Sequence, residues 1–86
     1  MINNDDNPVQ WALLVNELDE AREHLDSLTR TMVAKGTIDE SDYAVQVGHI
    51  YAHLNRAWAS RRRTTELPFD EWEEASQFPT DLSPVG

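Results

Sequence analysis

Three histidines form the side-chain pattern in this sequence that is most typical of a metal site. His49 and His53 are four residues apart in a stretch with helical apolar spacing, so both rings lie on one face of a helix. Two imidazoles at that spacing can bind one metal ion. Antiparallel pairing with the preceding helix brings His24 to the same level, with Glu20 one turn before it. His24, His49 and His53 are therefore candidate ligands of a transition-metal ion.

A purely structural role also explains these histidines. His49 and His53 border the apolar rows of the helix, and neutral histidines in such places commonly hydrogen-bond or face water. Di-iron helical bundles carry Glu-x-x-His motifs, and neither predicted helix has one. The sequence therefore favours the structural role and predicts neither a metal nor another cofactor.

Catalysis has little support in the sequence. Ser27, Ser41 and Ser60 lack the neighbouring groups that activate a nucleophile, and no glycine-rich phosphate loop is present. The periodicity of the helices directs most of their carboxylates toward solvent. We therefore expect a protein that is not an enzyme and has no catalytic residue.

The charge of the chain is acidic and uneven. Asp and Glu number 16 against 7 Lys and Arg, which gives a net charge of −9, and no Lys or Arg follows Arg63. Phosphate backbones attract surfaces rich in Lys and Arg, so this balance argues against nucleic-acid binding. The run Arg61-Arg62-Arg63 is expected to close a helix and to pair with the acidic tail, Glu71 to Glu74. An acidic surface also permits a decoy that occupies basic nucleic-acid-binding proteins.

The sequence shows no sign of export or membrane insertion. It has no cysteine, which fits a reducing compartment, and no apolar run long enough to span a bilayer. Its N-terminus lacks the charged and apolar regions of a signal peptide. We expect a soluble, cytoplasmic protein without a membrane partner.

Apolar spacing predicts a first helix at about residues 8–35, after a disordered N-terminus at residues 1–7. Asn7 and Gln10 have the spacing of a capping box. Gly36 is suited to the left-handed conformation that ends a helix. A buried seam is expected from residues three and four apart: Trp11, Leu14, Leu18, Ala21, Leu25, Leu28 and Met32.

A second helix is predicted at about residues 39–63, with Asp39 as its N-terminal cap. The connection between the two helices is short, so they are expected to lie antiparallel as neighbours. A short third helix is predicted at residues 70–77, before Pro79 prevents its continuation. These elements define one helical domain at residues 8–78 and an irregular C-terminal tail at residues 79–86.

The second helix carries more apolar surface than one neighbouring helix can cover. One row, through Ile50, faces the first helix, and a second row contains Tyr51 and Trp58. Two hairpins can cover the second row by forming a four-helix-bundle homodimer. Alternatively, the C-terminal segment folds back over it, and the two solutions are compatible. The dimer is the favoured prediction.

The leading functional hypothesis is a non-enzymatic protein–protein interaction or regulatory module. An acidic segment interleaved with aromatics, around Phe69 and Trp72, can dock on its own helices or bind a protein partner. Together with Tyr51 and Trp58, these two residues are the candidate interaction residues. The alternatives are a small metal-binding bundle that uses the histidines, and the acidic decoy.

Overall fold

The fold is an antiparallel pair of α-helices with a short helical segment packed near one end. The computed structural model describes residues 2–63 and 65–86. No strand occurs among them, so the all-α prediction is confirmed, as is the packing of the first two helices against each other. Within those ranges, no helix combines the length and the apolar character that a membrane span requires. The elements in chain order are α1 (Pro8–Lys35), α2 (Glu40–Ala59), a 3-10 turn (Phe69–Glu71) and α3 (Trp72–Ala75).

Two sequence predictions reach beyond the described residues. The disordered N-terminus includes Met1, and the single helical domain includes Thr64; both residues lie outside the described ranges. In the rest of the N-terminus the structure has a turn before α1. The backbone N–H of Asp6 donates to Oδ1 of Asn3 at 2.7 Å, and this side-chain bond closes the turn.

The N-terminal cap of α1 differs from the prediction, whereas its C-terminal cap agrees. The side chain of Asn7 makes no capping hydrogen bond, so the predicted capping box is wrong. Gln10 is buried, and its amide donates instead to the backbone carbonyl of Arg61, beyond the end of α2. Gly36 ends the helix with a φ of 69°, and its N–H donates to the carbonyl of Met32 at 2.8 Å.

Helix α2 is shorter than predicted. It ends at Ala59 instead of residue 63, and the side chain of Arg61 turns back to donate to the carbonyl of Trp58 at 2.9 Å. This bond satisfies one of the carbonyls left free at a helix end. At the other end, the side chain of Asp39 makes no capping hydrogen bond, so that prediction is also wrong. The predicted third helix is reduced to the 3-10 turn and the single turn of α3.

The C-terminal segment folds back on α2. The ring of Phe78 lies 4.8 Å from the ring of Tyr51, measured between centroids. The indole N–H of Trp58 donates to Oδ1 of Asp81 at 2.9 Å. The segment therefore covers part of the second apolar row.

The hydrophobic core is small, and one side of the hairpin is left uncovered. The buried apolar residues are Leu14, Ala21, Leu28 and Ile50. The predicted seam is wrong for three of its members, because the alternate row of α1 turns toward solvent. Trp11, Leu18 and Leu25 are 39%, 52% and 53% exposed, and Tyr43 and Leu54 of α2 are 43% and 41% exposed. We refer to these five residues as the apolar face.

The apolar face and the histidines lie on opposite sides of the hairpin. Leu18 and His24 are three residues before and after the buried Ala21, which turns them about 60° away from it in opposite directions. On α2, His53 and Leu54 follow the buried Ile50 by three and four residues, so they also turn away from it in opposite directions. Because the helices are antiparallel, residues turned in the same direction share a side of the hairpin.

Candidate metal centre

His24, His49 and His53 come together midway along the hairpin. Nε2 of His49 lies 3.0 Å from Nε2 of His24 and 3.2 Å from Nε2 of His53. One ring nitrogen from each histidine lies within 4.8 Å of the other two. The i, i+4 spacing on α2 and the antiparallel register thus bring all three sequence candidates to one point.

The nitrogen separations are close to those of a metal-bound set. Zinc–nitrogen bonds of about 2.0–2.1 Å in a tetrahedral site place neighbouring ligand nitrogens about 3.3 Å apart. The pairs at 3.0 and 3.2 Å nearly have this spacing, whereas the third pair lies within 4.8 Å. The three imidazoles are therefore a candidate set of ligands for one metal ion.

The cluster is shielded on one side and open on the other. His53 is buried, His24 is half-buried and His49 is exposed. Partial burial lowers the pKa of His49 below its usual value of 6.5, and the neighbouring His24 and His53 lower it further. Metal ions bind the unprotonated imidazole, so these surroundings hold His49 in the form that binds.

Two carboxylates lie beside the histidines. Oε2 of Glu20 is 3.9 Å from Nε2 of His24. Oε1 of Glu17 is 3.3 Å from Nδ1 of His53, and Oε2 of Glu17 accepts a hydrogen bond from Nε of Arg56 at 2.7 Å. Glu17 therefore contacts the nitrogen of His53 that does not take part in the cluster.

Sequence reasoning missed Glu17 and Arg56, because charged residues on a helix usually face solvent. Their side chains are only 15% and 7% exposed. One sequence signal points to them: a register that pairs Leu18 with Ala57 brings this glutamate and this arginine to the same level of the hairpin. Desolvating two charges costs several kcal/mol, so a buried pair beside a histidine cluster marks a candidate site.

The four predicted interaction residues lie along α2 and the C-terminal segment. Tyr51 and Trp58 contact that segment, as described above. The guanidinium of Arg56 lies over the ring of Trp72, 4.2 Å from its centroid. Phe69 is 93% exposed. Three of the four therefore have partners within the chain.

Two of the three arginines after α2 pair with the acidic C-terminal segment, and the partner of Arg63 lies in the predicted stretch, Glu71 to Glu74. The run does not close α2 as predicted, because the helix ends at Ala59. Arg63 donates to Glu71 at 3.0 Å and Arg61 donates to Asp81 at 3.1 Å. The hydrogen bond from Trp58 is the main cause that lowers the pKa of Asp81. Solvent screens exposed pairs of this kind, so they add little to the stability of the fold.

No family model matches this sequence, and neither a curated protein nor a solved structure is significantly similar to it.

Proposed function

We propose that this protein binds a transition-metal ion through His24, His49 and His53. The observation that carries the proposal is the convergence of their Nε2 atoms, with separations of 3.0 and 3.2 Å around His49. Three imidazoles at one point repel one another when protonated. A bound cation replaces that repulsion with three metal–nitrogen bonds.

The donor set defines the class of metal. Imidazole nitrogens suit zinc, copper, nickel and iron, and the sequence has no cysteine to supply a thiolate. Three histidines leave one position of a tetrahedral ion free. Glu20, whose Oε2 is 3.9 Å from Nε2 of His24, or a water molecule fills that position.

Metal titration tests this proposal. Protein prepared without a histidine tag is expected to bind one Zn²⁺ or Co²⁺ per chain, because the three ligands form one site. His24→Ala, His49→Ala and His53→Ala should each weaken binding by at least about 10–100-fold, the loss typical of outer-shell partners alone. Calorimetry measures the affinity and stoichiometry, and the visible absorption of Co²⁺ reports its coordination.

Asn16→Ala is the matched control, since Asn16 is an exposed polar residue of α1 that makes no contact with the cluster. Its affinity should equal that of the parent protein. Substoichiometric binding by the parent, or parental affinity in the three histidine variants, contradicts the proposal.

We also propose that the chain is a self-associating interaction module, a homodimer that packs through the apolar face into a four-helix bundle. Trp11, Leu18 and Leu25 recur every seven residues along α1, which is the repeat by which helices pack side by side. The same patch on two copies gives an interface with two-fold symmetry that closes on itself. This interface replaces the row of Tyr51 and Trp58, which the C-terminal segment partly covers.

The dimensions of the single chain support this second proposal. It exposes 6727 Å², whereas a compact monomer of 9.9 kDa is expected to expose about 5200 Å². Its radius of gyration is 14.8 Å, against about 12 Å for a compact domain of this length. The surplus of roughly 1500 Å² exceeds the ~800 Å² that each partner loses in a standard interface. A dimer of standard size would remove about half of the excess.

The mass in solution tests the dimer. Light scattering is expected to give two chains of 9.9 kDa each. A mass of one chain at the highest soluble concentration contradicts it, and has no bearing on the metal site, which lies on the other side of the hairpin.

A further inference from the structure

Glu17 occupies a position that the metal site alone does not explain. It lies on α1 two turns before His24, and its side chain is 15% exposed. Its two oxygens serve different partners: Oε1 is 3.3 Å from Nδ1 of His53 and Oε2 is 2.7 Å from Nε of Arg56. A carboxylate held at both ends has little freedom to move, which is what a support for a ligand requires.

The proton on His53 decides which of its contacts is a hydrogen bond. Nδ1 of His53 faces Oε1 of Glu17 at 3.3 Å and Nη2 of Arg56 at 3.1 Å. A carboxylate can only accept and a guanidinium can only donate, so one ring nitrogen cannot bond both at once. A metal ion on Nε2 leaves the proton of the neutral ring on Nδ1, which then donates to Glu17.

We propose that Glu17 is the positioning residue of the metal centre: its carboxylate holds His53 with Nδ1–H toward Oε1 and Nε2 toward the ion. This inference rests on the proposed metal-binding function. Metal-bound histidines commonly donate their other ring N–H to a carboxylate, which fixes the ring orientation and increases the basicity of the ligand. Glu17 is close enough to His53 for that role.

Arg56 extends this support to the C-terminal segment. Arg56 is 6% exposed, and its Nη1 donates to Oγ of Ser76 at 2.8 Å while its guanidinium stacks on Trp72. Because Arg56 also holds Oε2 of Glu17, the chain of contacts runs from the cluster through Glu17 and Arg56 to α3. The C-terminal segment therefore belongs to the outer support of the centre.

Zinc titration of Glu17→Gln tests the inference. An amide oxygen accepts a weaker bond from His53 and cannot form the ion pair with Arg56, so zinc affinity should fall by about 10–100-fold. Glu23→Gln removes the same charge from an exposed position of α1 and should bind zinc like the parent. If the parent binds and Glu17→Gln binds equally well, the positioning role is wrong while the proposed metal site stands.

A second measurement does not depend on whether Glu17→Gln folds. The nitrogen chemical shifts of His53 in the zinc-loaded parent protein distinguish its two ring atoms. We expect a protonated Nδ1 and a zinc-bound Nε2. Zinc on Nδ1 overturns the inference, and a parent protein that binds no zinc overturns both the inference and the proposed function.

Discussion

Nε2 of His49 lies against one ring nitrogen of His24 and one of His53, and it carries at most one proton. It lies 3.0 Å from Nε2 of His24 and 3.2 Å from Nε2 of His53, and each such contact needs one donor and one acceptor. Nε2 of a neutral ring offers either one N–H or one lone pair, so it fully satisfies one of the two contacts. Protonation removes the acceptor and adds a charge, so the metal-free cluster should be sensitive to acid.

We predict that the metal-free protein loses stability as the pH falls below about 6.5. Burial and the neighbouring histidines hold the pKa of His49 below its usual 6.5 in the folded protein. In the unfolded chain the group takes up its proton near pH 6.5, before the folded protein does, so acid favours unfolding. The contribution of His49 is regained as the pH rises through this window.

Urea unfolding at about pH 5.5 and about pH 7.5, for the parent and for His49→Asn, measures this effect. The variant should show a smaller difference between the two conditions, because it lacks the imidazole of His49. An equal difference in the two proteins contradicts the assignment to His49.

At the scale of the elements, the helices and their pairing could be predicted because they depend on local spacing. The apolar repeat of α1 persists along the helix, Gly36 ends it, and α2 begins soon afterwards at Glu40. The same antiparallel register predicts that His24 lies level with the histidines of α2, as observed. The caps at Asn7 and Asp39 could not be predicted, since tertiary contacts decide whether a capping side chain is used; Gln10, for instance, bonds the end of α2.

The supporting residues of the site were harder to predict than its ligands. Glu17 and Arg56 carry charges, and charged positions on a helix usually face solvent. Whether they are buried depends on how α1 rotates against α2 and on where the C-terminal segment docks. The rotation also decided which half of the apolar seam became exposed. The spacing of residues along one helix determines neither the rotation of α1 against α2 nor the place where the C-terminal segment docks.

Gly48 is a position where a substitution should make α2 more stable. It lies inside α2, has no left-handed backbone, and a Cβ added there meets nothing within 4 Å. Gly48→Ala should therefore raise the free energy of unfolding by about 0.8–1 kcal/mol through helix propensity. Gly36→Ala is the matched control, because Gly36 has a φ of +69°. That change should destabilise the protein by about 1–2 kcal/mol. Urea unfolding measures both, and a loss of stability in Gly48→Ala contradicts the prediction.

At the scale of the whole molecule, the two sides of the hairpin have different chemistry. One side holds the histidine cluster with Glu17 and Arg56, and the other is the apolar face. In the proposed bundle, a two-fold axis through the apolar face would place the two proposed metal centres on the outer surfaces. Dimer formation should therefore leave both centres accessible, and the two proposed activities should be separable by substitution.

Leu18→Glu and Leu54→Glu are predicted to halve the mass in solution without weakening zinc binding. Each change places a carboxylate in the proposed interface, where two-fold symmetry brings it near its own copy and burial without a partner costs several kcal/mol. Neither residue contacts the cluster. Val45→Glu is the control: Val45 is 67% exposed on α2 and lies outside the apolar face, so this variant should keep the parental mass. Light scattering and zinc titration on the three variants measure both properties. Parental mass in the two leucine variants, or monomers formed by Val45→Glu alone, would place the interface elsewhere.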